Sequence, residues 1–331
     1  MIDISVGRYW DKPWSLVSSC TRTSPGCLHC WALAMEKRFH KGVEGHIVIH
    51  PERLDIPLKR KKPTVYAIWN DLFHEAVNPY FIKSVFDMVS KTVGLHVFLI
   101  LTKRPKQMYS FTKWMAGSDD ISIAEWPRNV YLGLTVCNQE EADEKIPVFL
   151  QVPGRKFLSI EPMLGKIDFR CPSSLCEDYA SCSGPCNEAF KRPRAFLLSK
   201  FDAVLLGAET GPGARPLHPD WVRKVRDDCA AAGVNFFFKQ WGEFRPPITE
   251  QEKHKFKNGK GYGGALSLSG AFEDRGHGLI KTGKKNAGRT LDGVTHDALP
   301  WAQGKEQGRA SSSVMRRRTN ATANTHSRMS R

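Results

Sequence analysis

No apolar run in this 331-residue chain approaches the roughly 20 residues that a membrane-spanning helix needs. A basic stretch followed by an apolar one is also missing from the N-terminus, so no secretory signal is read there and a cytosolic protein is expected. No internal repeat is visible, and no G-x-G-x-x-G fingerprint follows any predicted strand, which argues against a dinucleotide-binding fold. Acidic residues are in short supply, 34 against 49 Lys and Arg, for a net charge of +15. Residues 302–331 hold seven Lys or Arg against Glu306 alone, which accounts for +6 of that excess and leaves +9 on the rest. A basic body of this kind suits a polyanionic partner, because phosphate contacts release counterions. A nucleic acid or nucleotide, most readily DNA, is therefore the expected partner.

In a cytosolic chain, nine cysteines are not expected to form disulfides. They fall into two clusters, Cys20, Cys27 and Cys30, and then Cys171, Cys176, Cys182 and Cys186, with Cys137 and Cys229 apart. That is a metal-binding distribution, and the two single cysteines read as small core residues. The first cluster, C-x6-C-x2-C, sits in a loop that runs into the helix-forming stretch Ala32–Phe39. Three thiolates can hold a [4Fe–4S] cube with one iron free of protein ligands, a position at which S-adenosylmethionine can bind. The alternative is a zinc knuckle completed by His29, His40 or His46. The second cluster lies in a Pro-, Ser- and Gly-rich insertion at 168–200. It reads as a structural zinc site, with an auxiliary iron–sulfur cluster or free thiols as the alternatives.

Six apolar runs, at Val65–Trp69, Val97–Leu101, Val130–Leu134, Lys156–Ile160, Ala203–Gly207 and Asn235–Phe238, predict buried parallel strands. Helical patterns separate most of them, including Phe81–Val93, a helix starting at Gln139 and Pro219–Ala232. Every run ends in polar residues, the edge at which β/α barrels place their active sites. The expected fold is α/β, a complete or partial parallel (β/α) TIM-like barrel over 1–299. A doubly wound open sheet is the competitor. The Arg-rich stretch 303–331 reads as a disordered basic tail.

The three-cysteine loop, Asp71-Leu72-Phe73-His74-Glu75, Leu101-Thr102-Lys103-Arg104-Pro105, Leu158–Gly165, Gly207–Pro216, Phe237–Gly242 and Gly288–Gly293 together resemble a phage- and prophage-associated three-cysteine-motif family of radical-SAM-like proteins, distantly similar to spore photoproduct lyase. The chain departs from that pattern at Trp31, where Tyr is more usual, and at Ala208, in place of Gly in a Gly-Gly-Glu pattern. The resemblance implies a barrel of the radical SAM type, a [4Fe–4S] cluster on Cys20, Cys27 and Cys30, S-adenosylmethionine and an electron donor. It implies a 5′-deoxyadenosyl radical that drives rearrangement or modification of a nucleobase, with a thymidine-derived hypermodified base in phage DNA as the expected substrate. Lyase-type repair of a thymine lesion and a non-catalytic metal-stabilised nucleic-acid-binding protein are the alternatives.

Within that resemblance, Gly207, Glu209, Gly211, Gly213 and Arg215 are the expected cofactor-binding residues, with Glu209 otherwise a capping residue of the turn. Lys239, Glu161 and Lys103 are the expected catalytic residues. Lys103 and Arg104 are expected either to meet substrate phosphate or to form a solvated strand end. Asp71, His74 and Glu75 read as capping and hydrogen-bonding residues in preference to a metal triad.

Overall fold

A computed structural model describes residues 7–39, 44–68, 70–117, 126–169, 197–249, 251–252, 265–267 and 278–302. The second cysteine cluster and the basic tail lie outside these residues.

Seven parallel strands form one curled sheet: β1 (Lys12–Pro13), β4 (Thr64–Ile68), β5 (His96–Thr102), β6 (Val130–Thr135), β7 (Arg155–Ile160), β8 (Ala203–Gly207) and β9 (Asn235–Gln240). The intervening β2 (Val17–Ser18) and β3 (Val48–Ile49) pair with each other as a short antiparallel ribbon. The strand order β1-β4-β5-β6-β7-β8-β9 follows the chain without reversal. A doubly wound sheet needs a reversal, at the switch point where its ligand binds, so that alternative is overturned. The protein is a partial (β/α) barrel.

The strands are hydrophobic throughout because both faces are covered. Side chains alternate across a strand, so residues two apart share a face. Tyr66, Phe98, Leu132, Leu158, Val204 and Phe238 point to the outer layer, where they join one large core cluster. That cluster takes in α3 (Pro79–Ser90), α4 (Pro105–Ala116), α5 (Gln139–Gln151) and α6 (Pro219–Ala232) through Val85, Phe111, Phe149 and Val225. The alternate set, Val65, Leu99, Tyr131, Phe157, Leu205 and Phe237, forms a second cluster on the inner face. Tyr9 and Leu299 belong to the same cluster, with Trp10, Trp301 and Ala302 packed against it. The Trp301 indole N–H donates to the Tyr9 carbonyl at 2.9 Å, so the two ends of the described chain meet on the concave side.

All six predicted strands are present within two residues of their expected ends, and α6 has its expected bounds. The helix expected over Phe81–Val93 runs from Pro79 to Ser90, with Lys91 as its C-cap. The helix α4, which begins at Pro105 directly after Arg104, was not predicted. Nor were the short antiparallel strands Phe244–Arg245, Ala265–Ser267 and Gly278–Lys281, which pair with one another after β9.

Inner-face packing depends on Gly133 in β6. A Cβ there would lie 2.2 Å from the Phe157 ring. Gly133→Ala must displace a fully buried aromatic ring and should lower stability by about 1–3 kcal/mol, read as a drop in the urea midpoint without a change in slope. A midpoint equal to the parent's would contradict this packing.

Candidate functional site

The polar residues at the C-terminal ends of the strands converge on one cavity of about 670 Å³. Cys20, Cys27, Cys30, Lys103, Glu161, Glu209 and Lys239 all line it. Residues from the cysteine loop and from four strand ends distant along the chain are thus brought to one cavity.

The cysteine loop has its own local order. Ser24 opens a short 3-10 turn at Pro25–Cys27, its hydroxyl accepting from the Gly26 N–H at 3.1 Å. The chain then enters α1 (Trp31–Phe39) directly after Cys30. Glu36 of α1 ties the helix back to the barrel, accepting from the Ser19 N–H at 2.6 Å and from Asn70 Nδ2 at 3.0 Å.

Arg104 anchors the loop. Its side chain is 4% exposed, and it donates to Asp71 at 3.0 Å, Glu75 at 2.8 Å, the Thr21 hydroxyl at 2.6 Å and the Cys20 sulfur at 3.5 Å. Asp71 is held in turn by the Thr102 hydroxyl at 2.6 Å and the Lys103 N–H at 3.0 Å. His74 Nε2 hydrogen-bonds the Thr21 hydroxyl at 2.9 Å. Asp71, His74 and Glu75 therefore act through hydrogen bonds, as expected. Arg104 is not a solvated strand end. Burying a guanidinium requires partners for its donors, and two carboxylates and the loop supply them.

The thiols respond to these neighbours. Burial pushes the Cys20 thiol up, against the pull of Arg104. Burial acts the same way on Cys27, but the Lys103 charge and hydrogen bonds from Thr23 and Ser24 bring it below its ordinary value. None of the three is in a disulfide. Among the described residues no three His, Cys, Asp or Glu side chains converge closely enough, as they stand, to hold a metal ion. Cys137 and Cys229 are buried, each with its thiol pushed up to about 12 by that burial, in keeping with core roles.

The Gly207–Arg215 segment meets the loop from the other side. Arg215 donates to the Pro25 carbonyl at 2.9 Å and grips both oxygens of Glu209, at 2.6 and 2.8 Å. Gly213 has φ +77° and a Cβ there would stand 2.8 Å from the His29 ring, so only glycine fits. Gly211 donates to Glu243 at 2.9 Å. Of this expected cofactor set only Glu209 is among the residues that line the cavity.

Gly207 lies beneath an ion pair. A Cβ at 207 would touch Lys239 Cβ at 3.3 Å and Glu161 Cγ at 3.5 Å. Above it Lys239 Nζ meets Glu161 Oε2 at 2.5 Å. Burial works against the Lys239 charge, yet Glu161 and the nearby Tyr9 raise its pKa and keep it protonated.

Sequence reasoning missed Thr135, Ser159 and Gln240, which also line the cavity. The period of two could have found the first two, since they share a face with Tyr131 and Phe157.

Residues 5–300 match the family described as Protein of unknown function (DUF5131). No curated protein and no solved structure matches the chain.

Arg104→Ala should cost about 3–5 kcal/mol, because Asp71 is left as a buried charge without its partner. It should also free Cys20, so that denaturant midpoint falls and the alkylation rate of Cys20 rises together. A stable variant with unchanged alkylation would remove Arg104 from this role.

Proposed function

We propose that this chain, which belongs to the DUF5131 family by its match over residues 5–300, is a radical S-adenosylmethionine enzyme acting on a nucleobase. The observation that carries the reading is that Cys20, Cys27 and Cys30 line the same cavity as the strand-end residues Glu161, Glu209 and Lys239. The donor chemistry fits an iron–sulfur cluster: three free thiols, one receiving a hydrogen bond from buried Arg104 and one depressed by Lys103. Cys20, Cys27 and Cys30 would hold that [4Fe–4S] group. When bound, that group would supply the one-electron reduction that cleaves S-adenosylmethionine at its sulfonium into methionine and a 5′-deoxyadenosyl radical able to take hydrogen from a substrate.

The chain's own residues do the rest. Arg104 fixes the loop against the strand ends and places a positive charge beside the Cys20 sulfur. Glu209, its carboxylate held below the usual range mainly by Arg215 against burial, stays ionised and lines the cavity, where it would accept from an ammonium or ribose hydroxyl. Lys239 keeps its proton at Nζ beside Glu161, ready to steady charge on the substrate. The apolar inner face, with Leu99, Leu101 and Phe157 in the wall, keeps water from a radical. The basic surface supports a nucleic acid or nucleotide substrate. The motif resemblance extends this to a thymine-derived base, by rearrangement or modification of the kind isomerases perform. An electron donor is required as partner.

Anaerobic reconstitution with iron and sulfide should give four irons per chain at the three-cysteine site. The reduced protein should then release 5′-deoxyadenosine from S-adenosylmethionine. Cys20→Ala, Cys27→Ala and Cys30→Ala combined should abolish both signals. Zinc in that loop with no cofactor cleavage would favour a non-catalytic binding protein.

A further inference from the structure

Four side chains that line the cavity each hold a buried oxygen with no hydrogen-bond partner: Thr135 Oγ1, Ser159 Oγ, Glu161 Oε1 and Gln240 Oε1. Thr135 and Ser159 are each 1% exposed and stand opposite one another across β6 and β7. A buried polar group without a partner costs stability, and native proteins leave few of them. Four on one cavity mark a surface built for a ligand.

Their chemistry restricts what that ligand is. Glu161 Oε1 and Gln240 Oε1 only accept, the Gln240 amide being committed to the Ala208 carbonyl at 2.9 Å. An anion would be repelled there. A cation gains little, because Lys239 already neutralises Glu161 at 2.5 Å. The floor thus asks for a neutral group with N–H donors. Glu161 Oε1 and Lys239 Nζ, held side by side, offer an acceptor next to a donor. The complement is a ligand edge with an N–H next to an acceptor, as on a nucleobase.

The rim has the opposite character. Each acidic side chain of the wall has its own cation: Asp71 has Arg104, Glu209 has Arg215 and Glu161 has Lys239. Arg8, Lys103 and Lys284 also line the cavity, and Arg8 and Lys284 are exposed. They have no ion pair among the described residues and leave the rim with positive charge to offer a phosphate.

Building on the nucleobase reading above, we propose that the cavity takes a nucleotide base-first, with the base edge on Glu161, Lys239, Thr135, Ser159 and Gln240 and the phosphate at the Arg8, Lys103 and Lys284 rim. The test is calorimetric titration of the full-length protein as purified, without reductant or S-adenosylmethionine. The probes are the four deoxynucleoside 5′-monophosphates and deoxyribose 5-phosphate. At least one monophosphate should bind about tenfold or more tightly than the sugar phosphate. Which base is preferred distinguishes a lactam edge from an amino edge. Thr135→Val with Ser159→Ala should erase most of that discrimination and leave sugar phosphate binding as it was. Should the pair fail to fold, Ser159→Ala by itself provides the same readout. A parent that does not discriminate, or a folded variant that discriminates as well as the parent, overturns the proposal. Cluster assembly and cofactor cleavage do not enter this measurement, so its failure and that of the radical reading are separable.

Discussion

The structure of the site depends on one buried guanidinium. Arg104 sits where β5 passes into α4 and joins three stretches far apart in the chain: the cysteine loop, the Asp71–Glu75 turn and the end of β5. Its charge is tolerable at this depth only because Asp71 and Glu75 flank it. The Thr21 contacts convert that pairing into positional control of the loop. Arg215 completes the arrangement from the opposite side through the Pro25 carbonyl. Two arginines, each paired with carboxylates, thereby fix a loop that has little core of its own.

The parallel sheet provides the other half of the design. Its inner face is apolar at Leu99, Leu101, Tyr131 and Phe157 and becomes polar toward the strand ends, at Thr135, Ser159 and Lys239. That step is set by the alternation of side chains, with no special loop needed. Gly207 is the complement: lacking a side chain, it lets Glu161 and Lys239 meet over the sheet. The cavity therefore combines a neutral, acceptor-rich floor with a basic rim and a thiol-bearing wall.

Much of this was legible in the sequence because its periodicities are strong. Six continuous apolar runs located the strands, and the polar residues after them located the site. The cysteine spacing marked the loop that lines the cavity. What remained hidden depended on three-dimensional partners. Arg104 looked like a surface residue because its two carboxylates are about thirty positions upstream, in the Asp71–Glu75 turn. That Gly213 lies close against His29 and Arg215 donates to the Pro25 carbonyl is not visible from their place in a glycine-rich turn. Thr135 and Ser159 looked like ordinary strand ends, and only their burial without partners sets them apart. The helix α4 was obscured by its start, Arg104-Pro105, which reads as a break although proline suits the first helical turn.

The central claim is that the three-cysteine loop holds a cluster with one iron open to the cavity. Electron paramagnetic resonance of the reduced protein, recorded with and without S-adenosylmethionine, tests it most directly. A [4Fe–4S]⁺ signal whose g-values shift when the cofactor is added is the predicted result. A spectrum that is the same with and without the cofactor, or no cluster signal at all, would contradict it.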